Sequence, residues 1–233
     1  NPTDLFNPIN PANFTKIEKD GADVISFMYY IGSFTDLNIV LNPMETLEQS
    51  NYGFRYRTNY SGYDFAAVGG YFDERFVAGL DFAGNLFTAG IRGEGIVSFD
   101  KNDFSSNYIR FILGADYQFN PEIYSLIEYQ FNGEGFTDKQ NYELLKLIRG
   151  KIINLNKNYL YLMASYQYHP LLNLSVSHNQ NLNDLSFYSS FTASYSASEN
   201  IYANLSCLYF QGKELTEYWY YPNSVYLQAE YYF

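Results

Sequence analysis

The feature that most constrains this chain is a two-residue alternation of apolar and polar side chains, repeated in segments of about ten residues along most of its length. From Leu86 to Asp100 the odd positions read Phe87, Ala89, Ile91, Gly93, Gly95, Val97 and Phe99, and the even ones include Thr88, Arg92, Glu94, Ser98 and Asp100. The next run sets Ile109, Phe111, Leu113, Ala115, Tyr117 and Phe119 against Arg110, Asp116 and Gln118, and the one after sets Ile127, Tyr129 and Phe131 against Glu128, Gln130 and Asn132. Successive side chains of a strand point to opposite faces, so each set lies on one face. The pattern continues through Leu160–Tyr168, Leu172–Val176, Phe187–Tyr195, Ile201–Tyr209 and Val225–Phe233. Noisier strands are readable earlier, over Ala22–Ile31, Thr35–Leu41, Asn51–Thr58, Tyr63–Phe72 and Arg75–Phe82. This predicts an all-β chain of about 12–14 strands.

A soluble sandwich also alternates, but its apolar face is a core of Val, Ile and Leu. Here Tyr and Phe (26 and 20 residues) crowd the apolar face near the strand ends, while the other face carries Ser, Asn, Gln and Arg. That is the pattern of a transmembrane antiparallel up-and-down β-barrel, with an aromatic girdle at each interface and a wet interior. Mean hydropathy of −0.28 fits it, because lipid-facing and interior residues average out. No run of eighteen apolar residues is present, so the chain has no membrane-spanning helix. Residues 22–233 are read as the barrel and 1–21 as an N-terminal loop or extension.

Connection lengths alternate, as they do in outer-membrane barrels with short periplasmic turns and long outer loops. Working back from the end, 212–223 is long, 196–200 short, 180–184 medium, 169–171 tight, 132–158 very long and 120–122 tight. Further back, 100–106 is medium and Gly84–Asn85 is read as a two-residue turn. The outer turn at Asp73–Glu74 breaks the rule. Within the longest loop, Tyr142, Leu144, Leu145, Leu147 and Ile148 have helical spacing; they are read as a short helix on the rim, the alternative being a constriction folded inward. The aromatic loop Glu214–Pro222, with the single Trp, is read as an interfacial anchor. Thirteen strands with a periplasmic end would leave the first running inward from an outer loop. This points to the C-terminal part of a larger barrel.

Parity turns Arg55, Arg57, Arg75, Arg92 and Arg110 inward, with Asp64, Asp81, Glu94, Asp116 and Glu128 on the same wall. The last five strands contribute Glu230 and otherwise Ser, Asn, Gln and Tyr. Nine of these residues, Arg55, Arg57, Arg75, Asp81, Arg92, Glu94, Arg110, Asp116 and Glu128, are the candidate pore-lining set. Such a wall creates a transverse field that orients ions and dipolar solutes, and ion pairs bracing neighbouring strands would use the same side chains. Gly93, Gly95, Gly133 and Gly135 mark close packing or sharper bending.

Other function classes are disfavoured. Net charge is −11, the wrong sign for a nucleic-acid partner. Cys207 is the only cysteine and His169 and His178 the only histidines, so no metal or cofactor is expected. His178 has Ser175 and Ser177 nearby in sequence, but parity points those serines to the interior, away from where an outer-membrane hydrolase would meet lipid; no catalytic residue is assigned.

The ending SVYLQAEYYF, residues 224–233, resembles the C-terminal signal of outer-membrane barrels. NPTDLFNPINP (1–11) and EYQFNGEG (128–135) resemble stretches of larger porin-like barrels, including alginate-export-type proteins. The resemblance implies a bacterial outer membrane as the location, lipid as the surroundings and the barrel-assembly machinery as a partner in biogenesis. The expectation is a porin-like channel for ions or small hydrophilic solutes, alone or as a homo-oligomer. A structural or adhesin-type barrel that binds a partner protein through its outer loops is the alternative.

Overall fold

The structure, a computed structural model, describes Thr3, residues 23–148 and residues 152–233. The expected extension 1–21 lies, apart from Thr3, outside the described residues. The fold is all-β and antiparallel. Its strands are β1 (Ile25–Tyr30), β2 (Asp36–Asn42), β3 (Asn51–Tyr60), β4 (Tyr63–Phe72), β5 (Arg75–Leu86), β6 (Ala89–Asp100) and β7 (Asn107–Gln118). They continue with β8 (Ile123–Asn132), β9 (Asn158–His169), β10 (Leu172–Asn181), β11 (Phe187–Ser198), β12 (Ile201–Gln211) and β13 (Ser224–Tyr231). These thirteen strands hydrogen-bond in simple chain order, β1 through β13. The only α-helix among the described residues is α1 (Leu144–Ile148), and no described helix is long and apolar enough to cross a membrane.

Two compact units share this order: residues 1–113, 131–135 and 143–155 form the first, and 114–130, 136–142 and 156–233 the second. In the first unit, tight turns at Ser61–Gly62 and Phe87–Thr88 join β3 to β4 and β5 to β6, while 43–50 and 101–106 are longer. Ser61 and Gly62 both take positive φ, as do Asp73 and Glu74; such turns match the right-handed twist of the strands they join. In the second unit, Pro170–Leu171 and Glu199–Asn200 are tight, and 182–186 and 212–223 are longer.

One turn differs from the sequence reading. Gly84–Asn85 is not a turn: β5 continues to Leu86, and the chain reverses at Phe87–Thr88, with Phe87 at φ 58° and fully exposed. Gly84 is glycine for another reason. A Cβ there would meet the Tyr63 ring at 2.2 Å, and Tyr63 Oη donates to the Asn85 carbonyl at 2.6 Å. The glycine leaves room for a cross-strand aromatic ring. Close packing also explains Gly93 and Gly133, whose Cβ atoms would meet the Phe82 ring at 2.4 Å and the Ile109 carbonyl oxygen at 2.5 Å.

Register sorts the two faces. Leu80 stands opposite Ala67 and Gly95, and Phe54 opposite Ile39 and Gly69, all on one face. In the second unit Val176 lies opposite Ala164 and Phe191, Phe191 opposite Cys207, and Cys207 opposite Val225. This apolar face is uncovered: Leu80 is 69% exposed, Val176 52% and Phe191 43%, although each sits between two paired strands. The opposite face is not uniformly polar. Val68, Val77 and Ile96 form a small buried cluster there, with Phe72 against it.

Cys207, on the apolar face, should react with a maleimide that partitions into detergent or lipid and resist a charged, water-soluble one. Rapid labelling by the charged reagent would mean that β12 presents its other face.

Candidate functional site

In the first unit the register brings charge together row by row. Asp36 pairs with Arg57, Arg57 with Ala66, Ala66 with Asp81, and Asp81 with Glu94, so all four charged residues share a face. Arg55 lies on it opposite Val68, Arg75 opposite Asp100, and Arg92 opposite Ala83. Arg75 and Arg110 both set their guanidinium groups over the Tyr108 ring, at 4.8 and 4.7 Å from its centroid, which joins Arg110 to the same face.

Most of these arginines are ion-paired. Arg57 meets Asp36 at 2.6 Å, Arg55 meets Asp81 at 3.1 Å, Arg75 meets Asp100 at 3.5 Å, and Arg110 meets Glu134. Arg75 also donates from Nε to Ser98 Oγ at 2.8 Å and from Nη2 to the Ser106 carbonyl at 2.7 Å. Glu94 accepts from the Thr3 hydroxyl at 2.5 Å. The bracing role therefore holds for four arginines, but Arg55 and Arg57 keep about half of their side-chain surface exposed (49% and 53%) and still present charge to solvent. The acidic members of the candidate set near Arg110 in sequence are Glu94, Asp116 and Glu128. Arg110 instead takes Glu134, which lies just beyond β8 in the glycine-flanked turn. Asp116 on β7 and Glu128 on β8 belong to the second unit.

The second unit carries a buried polar network that sequence reading missed. Loop 212–223 contains one 3-10 turn, Glu217–Tyr220, whose first two residues are buried and whose Trp219 and Tyr220 are exposed. The expected interfacial anchor is thus divided: half of it is buried and half exposed. Glu217 Oε2 accepts from the Tyr159 hydroxyl and, at 2.8 Å, from Asn181 Nδ2. Asp184 Oδ2 accepts from the Glu217 backbone N–H and from the Tyr142 hydroxyl, both at 2.8 Å, while its Oδ1 accepts from Ser186. Tyr142 in turn accepts from Asn156 Nδ2. Tyr218 accepts from Asn179 Nδ2 at 2.9 Å and meets Tyr188 edge-on at 5.4 Å. Lys139 Nζ donates to the Glu214 carbonyl at 2.9 Å. Three connections (136–142, 182–186 and 212–223) are thereby locked together at one end of β9–β12. Gly212 permits the fold-in, since a Cβ there would meet Thr216 Oγ1 at 2.2 Å and the Trp219 nitrogen at 3.1 Å.

Among the described residues the segment expected as a rim helix contains one 3-10 turn, Lys139–Asn141, and α1, which runs to the last described residue before 149–151. Leu147, Ile152 and Leu155 are buried, and Glu143 pairs with Lys146 at 2.8 Å.

Burial raises the phenol pKa of Tyr142, and Asp184 raises it further; burial and then Glu217 do the same to Tyr218. Tyr221 is pushed up to about 12 by burial and Glu217. Raised phenol pKa values stabilise the fold fully below about pH 10, the ordinary tyrosine value. That stability is lost as pH rises through the folded values. Tyrosinate absorbance should show a lagging fraction between about pH 10 and 12, with the loops releasing as it ionises. A single simple titration near pH 10 would contradict the lock.

His178 lies on the opposite face of β10 from Ser175 and Ser177. Its Nδ1 is 2.9 Å from Ser189 Oγ across β11, and its ring lies 4.9 Å from Phe187. Ser177 instead bonds Ser190 at 2.7 Å. No cluster of three or more potential metal ligands exists among the described residues. No protein-family model matches the chain, and no curated protein matches it either.

Proposed function

We propose that this chain is a transmembrane β-barrel, or the C-terminal part of one, that acts as a porin-like channel in a bacterial outer membrane. It admits ions or small hydrophilic solutes passively, with no cofactor and no catalytic step. The observation that carries the reading is the uncovered apolar face. In water a sheet buries such a face under a second layer, and an exposed patch of this extent marks a contact surface. Hydrocarbon supplies that cover in a membrane barrel, and the ion-paired opposite face then lines a wet interior. Short turns would lie in the periplasm and long loops outside.

Among the described residues β1 pairs only with β2, and β13 only with β12. An unpaired edge is costly in hydrocarbon, so the reading requires these edges to be closed by pairing with each other, with strands from an upstream part of a longer protein, or with a second copy. The C-terminal strand is proposed as the segment presented to the barrel-assembly machinery.

The test is single-channel recording in planar bilayers. Discrete conductance steps are expected, and replacing Arg92 and Arg110 together with Ala should shift selectivity toward cations. The shift should be largest at about 0.01 M salt, where the Debye length is about 30 Å and the charges are least screened. A folded protein that inserts without conducting would refute the channel.

A further inference from the structure

We propose that a recess at the tight-turn end of the second unit binds a small organic cation of the aliphatic amine or diamine class. The recess has a volume of about 580 Å³, within the range of ligand pockets. It opens between the ends of β9–β13, and its lining combines the carboxylates of Glu199 and Glu230, the amides of Asn173 and Asn204, and the rings of Tyr202 and Tyr232. No lysine or arginine lines it. The surrounding sequence has the same sign: from residue 158 to the end, Lys213 is the only basic side chain other than histidine, against Asp184, Glu199, Glu214, Glu217 and Glu230.

Glu230 is held in place by two donors. It stands opposite Tyr202 in the register, its Oε1 accepts from Gln228 Nε2 at 2.7 Å, and its Oε2 accepts from the Tyr232 hydroxyl at 2.6 Å. An ionised carboxylate has about four acceptor positions, so two donors leave room for an ammonium group. The same carboxylate raises the Tyr232 phenol above its ordinary range. Tyr202 and Tyr232 meet edge-on at 5.8 Å, which places aromatic surface beside the charge, a suitable neighbour for a cation. The Tyr202 hydroxyl donates to the Glu199 carbonyl at 3.1 Å and so ties down the turn that carries the second carboxylate.

This combination selects among ligands. Two negative charges with no counter-charge in the lining repel anions. No cluster of three His, Cys, Asp or Glu side chains exists among the described residues, so the recess offers a bare divalent cation two carboxylates at most. Amides and phenols, which accept hydrogen bonds from N–H groups, suit an alkylammonium ion. The inference is independent of the channel reading, because the recess can bind whether or not the chain conducts.

The experiment titrates the full chain, refolded in non-ionic detergent, with putrescine by calorimetry at low ionic strength, with glucose as the neutral probe. Saturable putrescine binding is expected, weakened at least tenfold in E230Q and abolished in E199Q/E230Q, with no glucose binding. E199Q, a change in an exposed turn, should by itself weaken binding severalfold and guards against a folding defect in the β13 variants. Circular dichroism checks the fold of each variant. Absence of saturable binding, equal binding of glucose, or unchanged affinity in folded E199Q and E199Q/E230Q would overturn the proposal. Conductance plays no part in the readout, so a failed channel and a failed binding site are separable.

Discussion

Replacing Glu217 with alanine should destabilise the folded chain by about 2–4 kcal/mol, because two buried donors lose their acceptor and each stranded polar group costs about 1–3 kcal/mol. Tyr159 and Asn181 both donate to Oε2 of this carboxylate, and Glu217 is only 3% exposed, so water cannot readily take its place. Glutamine should be far milder. Its single carbonyl oxygen can occupy the Oε2 position and keep both donors. Gly212→Ala reaches the same loop by a different route, since the added methyl would collide with Thr216 and the Trp219 nitrogen while leaving the carboxylate intact. Denaturant titration followed by Trp219 fluorescence should therefore rank the variants wild type, E217Q, then E217A, with G212A shifting the Trp219 signal even before unfolding. Equal stability of E217A and wild type would mean that the polar network does not hold the loop.

How much of this was legible beforehand depends on the range of the interactions. Strand existence, strand number and face assignment follow from local alternation, and the register keeps Arg55, Arg57, Arg75, Asp81, Arg92 and Glu94 on one face. The Gly84–Asn85 reading failed because glycine next to asparagine is the usual chemistry of a turn, whereas here the glycine accommodates Tyr63. The true turn at Phe87 offers no such composition. Of the ion-pair partners only Asp81 belongs to the acidic set read from parity: Asp36 and Asp100 could be assigned to their arginines only once the register was known, and Glu134 lies outside the alternating strands. The loop lock was the least legible, since Tyr159 and Glu217 are 58 residues apart and nothing local joins them. The buried cluster of Val68, Val77 and Ile96 also shows that parity gives the face of a residue but not its surroundings.

The membrane assignment itself has a direct test in two neighbouring residues of β10. Val176 and Ser175 lie on opposite faces: Val176 is opposite Phe191 and Ala164, Ser175 opposite Thr192 and Ser165. Both are mid-sheet and differ chiefly in what faces them. An arginine on the lipid side of a barrel costs about 2–4 kcal/mol near the bilayer midplane, a factor of roughly thirty to a thousand in the folding equilibrium. Val176→Arg should therefore lower stability in phospholipid vesicles by that amount, while Ser175→Arg, directed to the polar face, should stay within about 1 kcal/mol of wild type. In water the ordering has no reason to appear, because Val176 is already 52% exposed and a charge at an exposed site changes stability by only about 0.5 kcal/mol. Equilibrium unfolding from vesicles, read by Trp219 fluorescence, measures both variants under one condition. A tolerated Val176→Arg would remove hydrocarbon from that face and leave the exposed Leu, Val and Phe side chains to a protein partner. A penalty at Val176 with none at Ser175 is the outcome that only a lipid-facing apolar side and a wet opposite side produce together.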